Sequence, residues 1–226
     1  MEKEEKEVVK KKISISKILI ILLILYIIGF YMYKIVISPV NNIYIKGNTY
    51  LTDQEVIDSS GLRNYPSFIL TTKSSIKKNL KKNEIIKDIK IKKSMGNTVT
   101  INITENIPLF IYKDKTILSN GKSINKNYEL PILINDVNED MLKKLSEKYQ
   151  NINEEIRLMI SEIKYDPNNI DKERFLFTMN DGNYVYITLY KITSINEYIK
   201  ILSKTEGKNG ILYLDSGNYF ETFKDA

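Results

Sequence analysis

The run Ile18–Tyr33, ILIILLILYIIGFYMY, contains no charged residue, and past Lys34 the apolar character continues to Ile37. The twenty positions 18–37, wound as a helix, rise roughly 30 Å, the thickness of a bilayer's hydrocarbon core. A helix buried in a soluble core keeps a polar stripe; this one shows none for four turns. A cleaved signal peptide has a shorter apolar region, about 7–15 residues, ending in small residues. Here the run ends in Phe30-Tyr31-Met32-Tyr33-Lys34, with only Gly29 small. The expectation is an uncleaved anchor, with Ile18, Leu25, Tyr33 and Ile37 marking its length.

Flanking charge sets its direction. Lys3, Lys6, Lys10, Lys11, Lys12 and Lys17 precede the run, whereas only Lys34 and Lys46 follow closely. The side richer in Lys and Arg stays in the cytoplasm, and the interspersed Glu2, Glu4, Glu5 and Glu7 count for little. Residues 1–17 are therefore expected to be a cytoplasmic tail, 18–37 the membrane span, and everything after about Ser38 extracellular. Tyr26, Tyr31 and Tyr33 suit the outer interface, where a ring with a polar tip is favoured.

The outer portion holds neither Cys nor His nor Trp in a chain of 226 residues. It must fold on its core alone, and it lacks the commonest metal ligands, thiol nucleophiles and His-based triads. Carboxylate, Lys, Ser or Tyr chemistry remains. The net charge of +6, dispersed on an outward domain, reads as a solvated face, with anionic lipid or wall polymers as possible contacts.

After Pro39, Ile43-Tyr44-Ile45 alternates before the turn Lys46-Gly47-Asn48. Thr52 with Glu55 three residues on forms a capping box, Leu51 staples onto Val56, and Gly61-Leu62 suits a Schellman stop, which predicts a helix over 53–60. A second helix follows Thr72, with Ile76 and Leu80 on one face. Ile89-Lys90-Ile91-Lys92 and Thr98–Thr104 alternate around Ser94–Asn97, predicting a hairpin. The order β-α-α-β-β gives a small two-layer domain over 38–108.

These landmarks resemble the POTRA domain of the bacterial DivIB/FtsQ family: Ile45-x-Gly47-Asn48-x-x-Leu51, Ser60-Gly61-Leu62, Ile89-x-Ile91, and Thr98-Val99-x-Ile101-x-Ile103-x-Glu105-x-x-Pro108. One departure is Gly96, where the family often has Pro before N-T-V; glycine serves the turn as well. Glu105, an acid beside a strand end, is the tempting catalytic candidate, but no second convergent group accompanies it. It is expected to mark the strand exit and pair with nearby lysines.

From 109 to 226 the pattern is mixed α/β with a largely antiparallel sheet, making the whole chain α+β. Leu109–Tyr112 and Thr116–Leu118 pair around Lys113-Asp114-Lys115; Val137–Tyr149 is helical; Ile156–Ile163 is read as helix running into a strand near Ile163–Tyr165. Arg174–Met179 and Tyr184–Leu189 flank Asn180-Asp181-Gly182-Asn183, the clearest hairpin in the chain. A helix over 195–203 and strands Ile211–Asp215 and Tyr219–Phe223 complete it. The turn and L-P pattern, and Tyr213–Phe220 at the end, resemble the family's β-domain. The sixteen tyrosines read as half-buried sheet residues rather than a sugar cleft, and Asp181 and Asp215 as turn former and strand terminus.

The resemblance implies a non-catalytic, single-pass scaffold at the division septum, without cofactor or small-molecule substrate, binding bitopic partners of the FtsL and DivIC/FtsB type to help control septal peptidoglycan synthesis. The partner edge is expected at Ser216, Gly217, Tyr219, Phe220, Glu221, Thr222 and Phe223, a final strand with little chain left to cover it and only Glu221 and Lys224 as gatekeepers. Two other classes stand beside it. A membrane-anchored wall enzyme needs a carboxylate pair, and none is visible. A POTRA-type envelope assembly factor needs a long C-terminal barrel, whereas this chain ends at Ala226.

Overall fold

The computed structural model describes residues 15–205 and 207–223. The basic run from Lys3 to Lys12, most of the expected cytoplasmic tail, and Lys224 beside the last strand lie outside the described residues. Helix α1, Ile15–Ile37, starts three residues before the apolar run and buries none of its side chains against protein. It is long and apolar enough to cross a membrane. Ile18, Leu25, Tyr33 and Ile37 all lie within it.

The next elements are β1 (Asn42–Lys46), α2 (Asp53–Ser60), α3 (Lys73–Leu80), β2 (Ile86–Ser94) and β3 (Thr98–Glu105), in the sheet order β1-β3-β2. The capping box is complete: Glu55 N–H donates to Thr52 Oγ1 at 3.2 Å, and Thr52 N–H donates to Glu55 Oε2 at 2.8 Å. The stop is a Schellman motif, with Leu62 N–H on Ile57 C=O and Gly61 N–H on Asp58 C=O, both at 3.3 Å. Gly47 has φ +81°, and a Cβ there would lie 2.2 Å from the Ile103 carbonyl oxygen, so β1 can close on β3 only through glycine. Val56, Leu62, Ile76, Leu80, Val99 and Ile101 fill the layer between helices and sheet.

The remaining strands form one sheet of nine. They are β4 (Pro108–Tyr112), β5 (Lys115–Leu118), β6 (Ser123–Ile124), β7 (Ile132–Leu133), β8 (Ile160–Tyr165), β9 (Arg174–Met179), β10 (Tyr184–Thr188), β11 (Gly210–Tyr213) and β12 (Tyr219–Thr222), in the order β12-β11-β10-β9-β8-β7-β4-β5-β6. Five of the neighbouring pairs are antiparallel; β4–β7, β7–β8 and β10–β11 are parallel. Helix α4 (Glu139–Tyr149), capped by Asn138, buries Met141, Leu145 and Tyr149. Tyr149 meets Phe110 and Phe177 edge-on at 5.7 and 6.0 Å.

Two segments differ from the sequence expectation. The helix expected near Ile156 is a single turn, α5 (Glu154–Arg157), and β8 already begins at Ile160, whose neighbour Glu162 pairs across to Thr178. The helix expected over 195–203 is a 3₁₀ stretch, Leu189–Glu197, followed by α6 (Tyr198–Leu202). Leu189, Ile192, Ile195 and Tyr198 are all buried. The 3₁₀ stretch is itself kinked at Lys191, whose φ −113° and ψ 16° are not helical, so these side chains reach the core from two short turns and the start of α6.

The two cores meet. Leu118 and Ile124, from β5 and β6, pack into the first core rather than the second. Lys126 Nζ reaches Glu55 Oε1 at 2.8 Å, Lys122 Nζ reaches Glu84 Oε2 at 2.6 Å, and the Tyr50 and Tyr128 rings meet edge-on at 6.0 Å. The Lys126 hydrogen bond, and then the Thr52 N–H, hold the Glu55 carboxyl below its ordinary pKa.

Candidate partner-binding edge

The end strand β12 is held on one side only. It pairs antiparallel with β11, Tyr213 opposite Tyr219 and Gly210 opposite Thr222, and among the described residues no strand lies on its other side. Phe223 N–H donates inward to the Asn209 carbonyl at 3.0 Å. Backbone direction alternates along a strand, so the N–H groups of Phe220 and Thr222 point to the open side. A row of unsatisfied donors and acceptors of this kind is a template for an added strand.

The approach of β12 to β11 depends on Gly210. A Cβ there would lie 2.1 Å from the Glu221 carbonyl oxygen and 2.9 Å from the Phe220 ring. Gly210 N–H in turn donates to the side chain of buried Asn183 at 2.8 Å, which ties the start of β11 to the β9–β10 turn. Asn218, at φ +56°, makes the left-handed step into β12. Ser216 and Gly217 lie in the connecting turn, where Ser216 Oγ donates to Asp215.

The two faces of β12 differ. Phe220 packs against the large core, while Tyr219, Glu221, Thr222 and Phe223 are exposed. On the outer face Tyr219 stacks on Tyr213 with centroids 4.5 Å apart, and Tyr213 stacks on Tyr186 at 5.4 Å. Arg174 lies over the Tyr186 ring at 3.6 Å. Its guanidinium is clamped between Asp166 at 2.6 Å and Asp215 at 2.7 Å, with all three side chains largely buried. A planar guanidinium between two carboxylates and an aromatic face uses each of its recognition modes. The ladder Arg174–Tyr186–Tyr213–Tyr219 thus runs in contact from β9 across β10 and β11 to β12 on that face. Burial, and then the Glu221 carboxylate, push the Tyr213 hydroxyl above its ordinary pKa and keep it neutral. Phe223 closes edge-on against Tyr184 at 6.0 Å.

The expected edge residues therefore occupy one strand and the turn before it. Arg174, Asp215, Tyr186, Tyr213 and Gly210, which support that strand, carry no local signal in the sequence; only the strand pairing aligns them. Asp215, expected to be a plain strand terminus, is half of a part-buried ion pair with Arg174. Asp181 accepts from the buried Tyr198 hydroxyl at 2.9 Å as well as forming its turn.

Glu105 needs correction. Among the described residues its carboxylate pairs with no lysine; it accepts three backbone N–H groups, from Thr49 and Tyr50 at 2.7 Å and Leu51 at 3.0 Å. It clamps the loop that leads from β1 into α2. Its acceptor sites are filled by the chain itself, which is a structural use of the group. Among the described residues no group of three or more His, Cys, Asp or Glu is placed to hold a metal ion.

Comparison with known proteins matches residues 38–106 to the POTRA domain, FtsQ-type. The cell division protein DivIB of Bacillus anthracis is 28% identical over 229 aligned residues, covering 96% of this chain and 85% of that protein. DivIB of Bacillus subtilis (strain 168) is 28% identical over 198 residues, covering 83% of this chain and 75% of the relative. Among solved structures, the major extracytoplasmic domain of the trans isomer of DivIB from Geobacillus stearothermophilus matches at 19% identity and a TM-score of 0.33, over 45% of this chain and 88% of that one. The chain thus carries an FtsQ-type POTRA domain behind an apolar N-terminal helix and is similar to the cell division protein DivIB along nearly its whole length.

Proposed function

We propose that this protein is a bitopic scaffold of the division machinery that works by binding and positioning, with the open edge of β12 as its docking site. The observation that carries the reading is a strand bonded, among the described residues, on one side only, backed by a part-buried ion pair and an aromatic ladder, with exposed Tyr219 and Phe223 beside it. A partner segment adding to this edge gains backbone hydrogen bonds for affinity and side-chain contacts on alternate faces for selectivity. The partners are membrane proteins of the FtsL and DivIC/FtsB type, as expected of a relative of DivIB, and the outcome is control of septal peptidoglycan synthesis. In this reading α1 spans the cell membrane with the N-terminus in the cytoplasm, and both domains act outside at the septum. The domains divide near residues 106–109, with Leu118 and Ile124 crossing into the first core. No reaction is assigned to Glu105, whose oxygens are occupied.

Thr222→Pro tests the reading, because it deletes a donor on the open side while leaving the inward Phe223 bond to β11 in place. Pull-down of FtsL- and DivIC/FtsB-type partners from cells should fall at least tenfold, while Thr222→Val, which keeps the N–H, should retain them. Equal recovery with a folded, membrane-inserted Thr222→Pro variant would move the docking site elsewhere.

A further inference from the structure

The POTRA domain does not hang from α1 on a loose tether. Only Ser38–Asn41 separate the helix from β1, and these residues are bonded on both sides. Ser67 Oγ donates to the Val36 carbonyl in the last helical turn. Phe68 N–H donates to Ser38 C=O at 2.8 Å, Val40 N–H to Pro66 C=O at 2.9 Å, and Asn97 Nδ2 to Pro39 C=O at 2.8 Å. The loop 65–71 and the β2–β3 turn are thus fixed against the outer end of the helix. A cleft of about 410 Å³ between them is lined by Tyr31, Lys34 and Ile35 on one side and Phe68, Ile69 and Asn97 on the other. Tyr31 lies six residues before the helix end, roughly 9 Å along the axis, so the loop descends beside the last turns of α1.

The loop and the turn fixed there carry uncovered apolar side chains. Leu70 is 68% exposed, Met95 97% and Ile69 46%. The loop is held in shape by Lys93, whose ammonium donates to the Phe68 and Thr71 carbonyls and lies 4.1 Å from the Phe68 ring centre. Apolar side chains left bare on segments fixed beside a membrane-spanning helix's end have one solvent that suits them. With 23 residues, α1 is about 34 Å long, slightly more than the roughly 30 Å hydrocarbon layer, so its final turn reaches the interface.

We propose that this edge of the POTRA domain lies in the outer leaflet, with Ile69, Leu70 and Met95 at the boundary between headgroups and acyl chains, and that lipid fixes the domain's orientation on the membrane. Interfacial segments seat apolar side chains about 5–10 Å into that boundary, and the stems of Lys34 and Lys93 can follow while their charged ends stay polar. The proposal rests on α1 spanning the bilayer. The occupant is lipid because the same backbone that places α1 in the membrane places these side chains beside it.

The chain contains no cysteine, so single-cysteine nitroxide labels report depth cleanly. The full chain is reconstituted in phosphatidylcholine bilayers with Leu25→Cys, Leu70→Cys, Met95→Cys or Ile170→Cys, the last being 97% exposed in the second domain. Power saturation by oxygen against an aqueous nickel chelate should place the label at 25 deep in the hydrocarbon. Labels at 70 and 95 should lie at the interface, several-fold less accessible to nickel than the label at 170, which stays in water. A label at 25 that saturates like the one at 170 would remove the spanning helix, and the proposal with it. A deep label at 25 with those at 70 and 95 matching 170 would overturn the proposal alone.

Discussion

The two sheets that follow α1 close their backbones in opposite ways. In the POTRA domain the ends are tied off: the α2 start by a capping box, its stop by a Schellman pair, and the loop between β1 and α2 by three N–H groups on Glu105. In the second domain a nine-stranded sheet ends in β12, whose outer donors meet nothing among the described residues. Folded proteins normally blunt such an edge with charge, proline or a covering segment. Here the outer face behind the edge instead carries Arg174 between Asp166 and Asp215 and the stacked tyrosines. The contrast is between a domain whose ends are tied off and one whose last strand is left open among the described residues.

The contrast can be broken at several strengths. The largest effect is expected from Leu118→Ala. Leu118 belongs to the second sheet but is fully buried in the POTRA core, so the loss should be about 2–5 kcal/mol. In denaturant titrations it should unfold the POTRA domain earlier, while partner recovery at β12 falls only as far as unfolding requires. Glu105→Ala comes next. Removing the acceptor of three N–H groups should cost about 1–3 kcal/mol, read as a lowered melting temperature, with partner recovery by the folded protein unchanged. A folded Glu105→Ala variant that lost its function would instead call for a role beyond the clamp.

The smallest effect concerns the junction between the domains. Glu55 has its folded pKa depressed by Lys126, then by the Thr52 N–H. Its contribution is therefore complete above the unfolded value of 4.5 and is lost as pH falls through the lower folded value. The group is substantially exposed, so the effect is modest. The melting temperature should drop as pH is taken below 4.5, and Glu55→Gln should shrink that drop. An identical acid profile for the two proteins would show that the Lys126 contact does not couple the domains.

How much of this was legible in the sequence follows from distance along the chain. The α2 helix was readable to the residue, because Thr52, Glu55, Gly61 and Leu62 act on neighbours within a few positions. The hairpin at Asp181-Gly182 was readable for the same reason. Glu105 was not: its partners are more than fifty residues back, and a carboxylate beside lysines looks like a surface ion pair. The helix expected over 195–203 is α-helical only from Tyr198 to Leu202: Ile195, Tyr198, Ile199 and Leu202 satisfy a 3–4 spacing, but Ile195 lies in the 3₁₀ stretch before it. The final strand was visible as a strand, and its edge position was inferred from its place near the end of the chain. The ladder that backs it was invisible, since Arg174, Tyr186, Tyr213 and Tyr219 become neighbours only once β9 to β12 are paired.

The open edge is tested most directly by amide hydrogen exchange, resolved to single residues, on the full chain in lipid nanodiscs with and without its bitopic partners. Alone, the Phe223 amide, bonded to Asn209, should exchange slowly, and the outward Phe220 and Thr222 amides fast. On partner addition Phe220 and Thr222 should slow by at least tenfold while Phe223 changes little. Partner binding that leaves the Phe220 and Thr222 amides exchanging as fast as before would contradict docking by strand addition at β12.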